Sequence, residues 1–250
     1  MYKILANYGF ASNFIHYLPS CHSTNEIAAN LVGNGLEEGM VVITDDQTHG
    51  KGQRGNYWES EPYANLTFSL ALKPTFLLLQ NQFRLTQVIS LSIASVVQEK
   101  VSSIVKIKWP NDIYVNNKKL GGILIQNNVK GKELEFSIIG IGLNLNQAVF
   151  ANPKAISLFN LTQKTFDNNS VLNEIIYSIS NMYNELKKGN YKHINEEYQK
   201  LLFAKEEVKT FETNIRFSGK IIGTDQIGRL LVQTSDGVKC YQNQEIKLIG

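Results

Sequence analysis

Gly50-Lys51-Gly52-Gln53-Arg54-Gly55-Asn56-Tyr57-Trp58-Glu59-Ser60-Glu61-Pro62 is the stretch on which the fold turns. Its first six residues fit G-x-G-x-x-G, the spacing of a dinucleotide-binding loop. Such a loop must open a helix, because the helix N-terminus is what holds the pyrophosphate. Here it runs through Pro62 into Leu66, Phe68, Leu70 and Leu72, which alternate with smaller or polar residues as a strand does. The dinucleotide reading therefore fails. A protein kinase also sets a glycine loop between strands, but no His-Arg-Asp or Asp-Phe-Gly triplet occurs in the chain. What remains is a strand–loop–strand anion cradle, with Lys51 and Arg54 adding charge to the N–H groups that glycines expose. Taken alone, such a loop is more often an exposed turn.

Upstream, a strand is expected around Phe14 to Leu18 and another over Met40 to Thr44. Between them Ser23 offers an N-cap with Glu26 as its capping-box partner, and Ile27, Ala28, Leu31 and Val32 form an apolar stripe ending at Gly33 and Gly35. Downstream, Phe83 to Val101 reads as a helix with one largely apolar face. Val105 and Ile107 alternate up to Trp109, where Pro110 stops the strand. Ile113 to Val115 and Leu120 to Gln126 flank Asn116-Asn117-Lys118, a hairpin turn, and Leu134 to Leu145 makes another strand. Helices resume over about Ser170 to Lys188 and Tyr191 to Phe203. From Glu207 the texture changes to short β segments with glycines at turns, so 207–250 reads as a small barrel beside a 1–206 catalytic domain. The class is α+β.

The 250 residues fit one large domain, or one with an appendage, at about 150 residues per domain. Apolar residues are 43% and charged residues 19%, enough for a core and wrong for a disordered chain. A net charge of +3 without a basic block argues against a nucleic-acid coat protein. Cys21 and Cys240 lie near opposite ends, so no disulfide framework is expected and a reducing cytoplasm is the default. No apolar h-region marks a signal peptide, and the apolar-leaning stretch Val88 to Val97 is broken by three serines and too short to cross a bilayer.

Lys108-Trp109-Pro110-Asn111-Asp112 packs a cation, a large aromatic, a rigid turn and two polar side chains into one strand end. Strand ends and their loops are where catalytic groups usually sit. The hairpin can bring Lys119 back towards Asp112, and Gly121-Gly122 strips side chains where a ligand would approach the backbone. The bland alternative is a pair of solvated lysines and a core tryptophan. Elsewhere, Cys21 has no evident base beside it and reads as an inert thiol. His16, His22, His49 and His193 show no metal-ligand spacing.

Taken together, Ser23-Thr24-Asn25, Gln47, the glycine loop with Trp58, Lys108 to Asp112, Lys119 to Leu124 and Gly140-Ile141-Gly142-Leu143-Asn144 closely resemble the biotin–protein ligases. The order and spacing match over roughly residues 15–160, and the tail from 207 resembles that family's C-terminal barrel. The resemblance implies a class II synthetase-like catalytic domain, built on a mixed or antiparallel sheet with helices, and an SH3-like barrel. It implies an ATP-dependent ligase that joins biotin to ATP as biotinyl-5′-adenylate and passes the biotinyl group to a lysine of a carboxylase carrier domain. Biotin, ATP and Mg²⁺ are the implied ligands.

Residue by residue, Ser23, Thr24, Asn25 and Gln47 would meet the ureido end of biotin. Lys51, Gly52 and Gln53 would wrap the carboxylate and phosphate, and Lys119 would hold the carboxyl and α-phosphate oxygens. Arg54, Trp58, Lys108, Asn111 and Asn144 would face the nucleotide. Lys119, Asp112 and Lys51 would carry the chemistry, with Asp112 either binding Mg²⁺ or helping to deprotonate the acceptor. The chemistry agrees, because a carboxylate attacking ATP is an anion approaching an anion and needs cations around it. Phe150, Pro153 and Leu158 resemble the family's adenylate-covering loop. Two departures stand out. Gln53 stands where family loops often carry arginine, and the roughly twenty residues before Ser23 are too few for the winged helix-turn-helix of repressor members. Neither nucleic acid nor membrane is expected as a partner, and a homodimer remains open. The rivals are a lipoate–protein ligase of the same fold and a non-enzymatic biotin sensor. The polar Ser23-Thr24-Asn25 with Gln47 favours a ureido ring over a thin lipoyl chain.

Overall fold

The structure is a computed structural model that describes residues 2–3, 10, 14–33 and 37–249. Gly35, expected to end the first helix, lies outside the described residues. Seven strands form one sheet: β1 (Ile15–Cys21), β2 (Val41–Gln47), β3 (Leu66–Leu72), β4 (Val105–Lys108), β5 (Asp112–Val115), β6 (Lys118–Lys130) and β7 (Glu133–Leu143). Their order is β1-β2-β3-β7-β6-β5-β4, and only β1 and β2 run parallel. The sheet is thus mixed but mostly antiparallel, as the glycine loop and the hairpin dictate.

Successive residues of a strand face opposite sides, and both sides are covered here. Met40 and Val42 pack with Ala28 of α1 (Thr24–Gly33), while Val41 and Ile43 join the main core under α2 (Phe83–Gln98). This two-sided cover is why all seven residues of β3 are buried. A short α3 (Leu158–Thr162) precedes α4 (Asn168–Lys187) and α5 (Tyr191–Leu201). It was not expected, and its start is capped reciprocally by Ser157 and Asn160 where the usual signal has Glu or Gln. Helix α2 stops at Gln98 rather than Val101, with the Glu99 N–H closing the last turn on Ser95 and Val97. Asn116 and Asn117 adopt the positive φ angles, 50° and 62°, that a tight two-residue hairpin needs.

The C-terminal segment forms a second, antiparallel sheet of β8 (Val208–Glu212), β9 (Arg216–Thr224), β10 (Leu230–Thr234), β11 (Gly237–Tyr241) and β12 (Lys247–Ile249). The last strand returns to pair with the first. Phe211, Ile221, Leu230 and Val232 belong to the same buried cluster as the helices, so this sheet is packed on the larger unit. No helix among the described residues is long and apolar enough to cross a membrane.

Candidate active site

Sheet register places the site. One cross-strand row reads Thr67, Gly142, Gly122, Asp112, Lys108 from β3 to β4, and the next runs Ser69, Gly140, Leu124. Both rows face the side that α1 covers only in part, and their glycines leave the sheet bare. A Cβ on Gly140 would lie 2.3 Å from Asn25 Oδ1, and one on Gly142 would lie 2.4 Å from the Trp58 ring. These two positions must therefore be glycine for Asn25 and Trp58 to rest on the sheet. Gly122, expected to admit a ligand, also makes room for Lys119 and Asp112, whose atoms a Cβ would meet at 3.2–3.4 Å.

Above this floor opens a cleft of about 560 Å³. It brings together Ser23, Thr24, Asn25, Gln47, Lys51, Gly52, Gln53, Trp58, Lys108, Asn111, Asp112 and Lys119, all expected in the site. Asn144 does not line it. That residue is buried at the end of β7, donates from Nδ2 to the Ile156 carbonyl at 3.0 Å, and has an Oδ1 with no partner. The side chain of Arg54 lies outside the described residues.

At one end the polar groups are buried and neutral. Gln47 Oε1 accepts from the Thr24 N–H at 3.0 Å and from its hydroxyl at 3.3 Å. The Ser69 hydroxyl donates to Asn25 Oδ1 at 2.6 Å and lies 2.8 Å from Thr24 Oγ1, and Asn25 Nδ2 donates to Gln126 Oε1 at 3.0 Å. Ser69 and Gln126 were not foreseen. Ser69 is the lone small polar side chain on the buried Phe68–Leu72 run, a signal that strand alternation alone explains away.

The other end is charged. Lys119 Nζ sits 2.8 Å from Asp112 Oδ1 across the hairpin and 5.6 Å from the Trp58 ring centroid. Lys108 donates to the Tyr114 hydroxyl at 3.2 Å, and its burial holds the ammonium below its ordinary pKa against the opposing pull of Asp112. Among the described lining residues five lysines (Lys51, Lys108, Lys119, Lys154 and Lys247) face one carboxylate, Asp112. Such a cleft concentrates anions. Lys154 was not foreseen; its carbonyl accepts the Lys119 N–H at 2.7 Å, which pins the 144–158 loop beside the catalytic candidate. Of the three residues expected in that loop, Leu158 is core, Phe150 half-buried and Pro153 exposed.

The glycine loop is folded on itself. Its Gly52 N–H is taken by the Asn56 carbonyl at 2.7 Å, and Lys51 pairs with Glu26. Glu26, read as a capping residue, thereby holds the loop's cation, and Lys51 lowers its carboxyl pKa. Gln53 Oε1 accepts from Asn243 Nδ2 at 2.6 Å, so this side chain meets the C-terminal sheet region. Trp109 likewise donates from Nε1 to the Gly228 carbonyl at 2.8 Å, and Asn111 donates to the Ile123 carbonyl. The Cys21 thiol is half-buried, and its pKa is pushed up chiefly by that burial. Among the described residues no group of three His, Cys, Asp or Glu side chains is assembled to hold a metal.

The sequence profile of the biotin/lipoate A/B protein ligase family matches residues 17–144. A bifunctional ligase/repressor BirA of Bacillus subtilis is 30% identical over 234 residues, covering 90% of this chain and 71% of that protein. A biotin–[acetyl-CoA-carboxylase] ligase of Mycobacterium tuberculosis is 27% identical over 62% of this chain and 58% of its own length. The structure of a biotin protein ligase from Aquifex aeolicus, in complex with biotin and ATP, superposes with a TM-score of 0.81. The two are 26% identical over 95% of this chain and 99% of that one.

Proposed function

The chain belongs to the biotin/lipoate A/B protein ligase family, and from that premise we propose that it makes biotinyl-5′-adenylate from biotin and ATP and then biotinylates a carrier lysine. The observation that carries the reading is a single cleft with a neutral, hydrogen-bonded end and a cationic end about the Lys119–Asp112 pair.

The ureido ring lies among Ser23, Thr24, Asn25 and Gln47, whose donors and acceptors suit a cyclic urea and have no use for a lipoyl chain. The biotin carboxylate then points to Lys119. One carboxylate oxygen attacks the α-phosphorus, the bond to the β-phosphate oxygen breaks, and pyrophosphate leaves. Lys119 neutralises charge that grows on the α-phosphoryl oxygens, and Lys51 leaves Glu26 to join it. Lys108, Lys154 and Lys247 hold the remaining phosphates, and Trp58 walls the adenylate. In the second step the acceptor amine attacks the acyl carbon, AMP leaves, and Asp112 takes the proton that the amine sheds.

Mg²⁺ bound together with ATP would neutralise charge on the phosphates. A single carboxylate suits this ion, which is usually bound through one or two carboxylates plus substrate phosphates, and Asp112 would be its protein ligand. A biotin–[acetyl-CoA-carboxylase] ligase among the relatives supports a biotin carboxyl carrier domain as the acceptor. The test is pyrophosphate release with ATP and Mg²⁺, given biotin or lipoate, followed by transfer to a carrier domain. Turnover with biotin alone is expected. Turnover only with lipoate would assign the other branch of the family, and none with either would leave a sensor.

A further inference from the structure

His22 and His49 stand 27 positions apart in sequence, yet their Nδ1 atoms approach to 3.1 Å. Thr48 Oγ1 lies 3.0 Å from the first and 3.1 Å from the second, so three polar atoms form a nearly equilateral triangle. The backbone holds it. Just past the Cys21–Gln47 rung that ends β1 and β2, the Thr48 N–H donates to the Cys21 carbonyl at 2.9 Å and the His49 N–H to the His22 carbonyl at 3.1 Å. Both rings are exposed, with centroids 5.0 Å apart. The Glu26 carboxylate, paired with Lys51, is near enough for both rings to act on it electrostatically.

Two nitrogens bound to one ion at about 2.05 Å lie roughly 2.9 Å apart at a right angle and roughly 3.3 Å apart at the tetrahedral angle. The observed separation falls between these values. We propose that His22 and His49 form a binding site for a borderline transition-metal cation such as Ni²⁺, Zn²⁺ or Cu²⁺, the ions that imidazole ligands suit. Water completes the coordination, and Glu26 supplies the neighbouring negative charge. A bound ion cross-links the residue before Ser23-Thr24-Asn25 to the residue before the glycine loop, tying the roots of both ligand-binding segments together. The inference does not rest on the ligase reading.

The test is calorimetric titration with NiCl₂ of untagged full-length protein carrying Cys240→Ser, which removes the exposed thiol. The same protein with His22→Ala, His49→Ala or, as a control, His193→Ala is titrated in parallel, and circular dichroism checks that each folds. The expected result is one saturable site, weakened at least tenfold by either His22→Ala or His49→Ala and unchanged by His193→Ala. Saturating Ni²⁺ should also raise Tm only in the two proteins that keep the pair. Wild-type affinity in either pair variant, or no saturable binding below about 1 mM (a standard free energy near −4 kcal/mol), would overturn the proposal. The contact would then be only a hydrogen bond between two imidazoles.

Discussion

Where Ser23, Thr24, Asn25 and Gln47 line the cleft, each residue is at most 7% exposed, and the side chains of Thr24, Asn25 and Gln47 are bound to neutral partners, whereas Lys119 and Asp112 keep 33% and 24% of their side chains open to water. Lys51 and Glu26 are about half open. Buried polar groups must be satisfied before any ligand arrives, because an unpaired one costs about 1–3 kcal/mol. The neutral end is therefore preformed and selects by shape and hydrogen-bond pattern. Exposed ion pairs are worth only about 0–1 kcal/mol. An incoming carboxylate or phosphate can replace Glu26 or share Lys119 at small cost, so the charged end is held ready but not locked. In the proposed reaction one end recognises and the other reacts.

Lys119→Ala bears on that contrast most heavily. It should lower pyrophosphate release by roughly 10²–10³-fold, as loss of one preorganised charge-stabilising contact does. Biotin affinity and Tm should change far less, and near-normal turnover would remove Lys119 from the chemistry. Asn25→Ala attacks the other end and removes two hydrogen bonds, one to buried Ser69, which keeps Thr24, and one to the exposed Gln126. A destabilisation of about 1–3 kcal/mol is expected, seen as a lower Tm, together with weaker biotin binding. Unchanged stability with weakened binding would mean that the network relaxes and is not preformed.

The third test concerns the seam with the C-terminal sheet. Asn243→Ala removes the hydrogen bond to Gln53, a neutral contact worth about 1 kcal/mol. Adenylate dissociation, followed by rapid mixing, should quicken about fivefold while biotin affinity stays constant; equal off-rates would detach that seam from the intermediate. The smallest effect is expected of Glu26→Gln. Lys51 holds the Glu26 carboxyl below its ordinary pKa, so the pair stabilises the fold above the usual carboxyl range and loses that contribution as pH falls through the lowered value. Wild type and variant should differ by no more than about 2 °C in Tm at neutral pH, less at high salt, and not at all in strong acid.

Much of this was legible in the chain itself. Pro62 followed by Leu66-Thr67-Phe68-Ser69 rules out a helix after the glycine loop, and Asn116-Asn117 closes a hairpin wherever it is placed. These are short-range constraints, satisfied by steric preference and periodicity within a few residues. The hairpin also brings Lys119, opposite Tyr114 in register, within reach of Asp112 two residues along the partner strand. Ser69 and Lys154 carry no distinct signal in the sequence, because strand periodicity and loop composition describe them equally well without a site.

Gln53 shows where such reasoning stops. Its position in the loop suggests the carboxyl–phosphate end of a ligand, but its partner, Asn243, lies 190 residues away in the turn between β11 and β12. The same holds for His22 and His49, whose spacing carries no signal and whose contact exists only because β1 and β2 pair in parallel at one register. Local sequence thus determined the elements, their turns, the family and most of the residues in the cleft. Tertiary structure alone decided that Thr67, Gly142, Gly122, Asp112 and Lys108 share one row, that Lys51 rests on Glu26, and that the C-terminal sheet closes one side. Register between distant strands is set by how two faces of a sheet bury their apolar residues against different helices, and that balance is a property of the whole packed core.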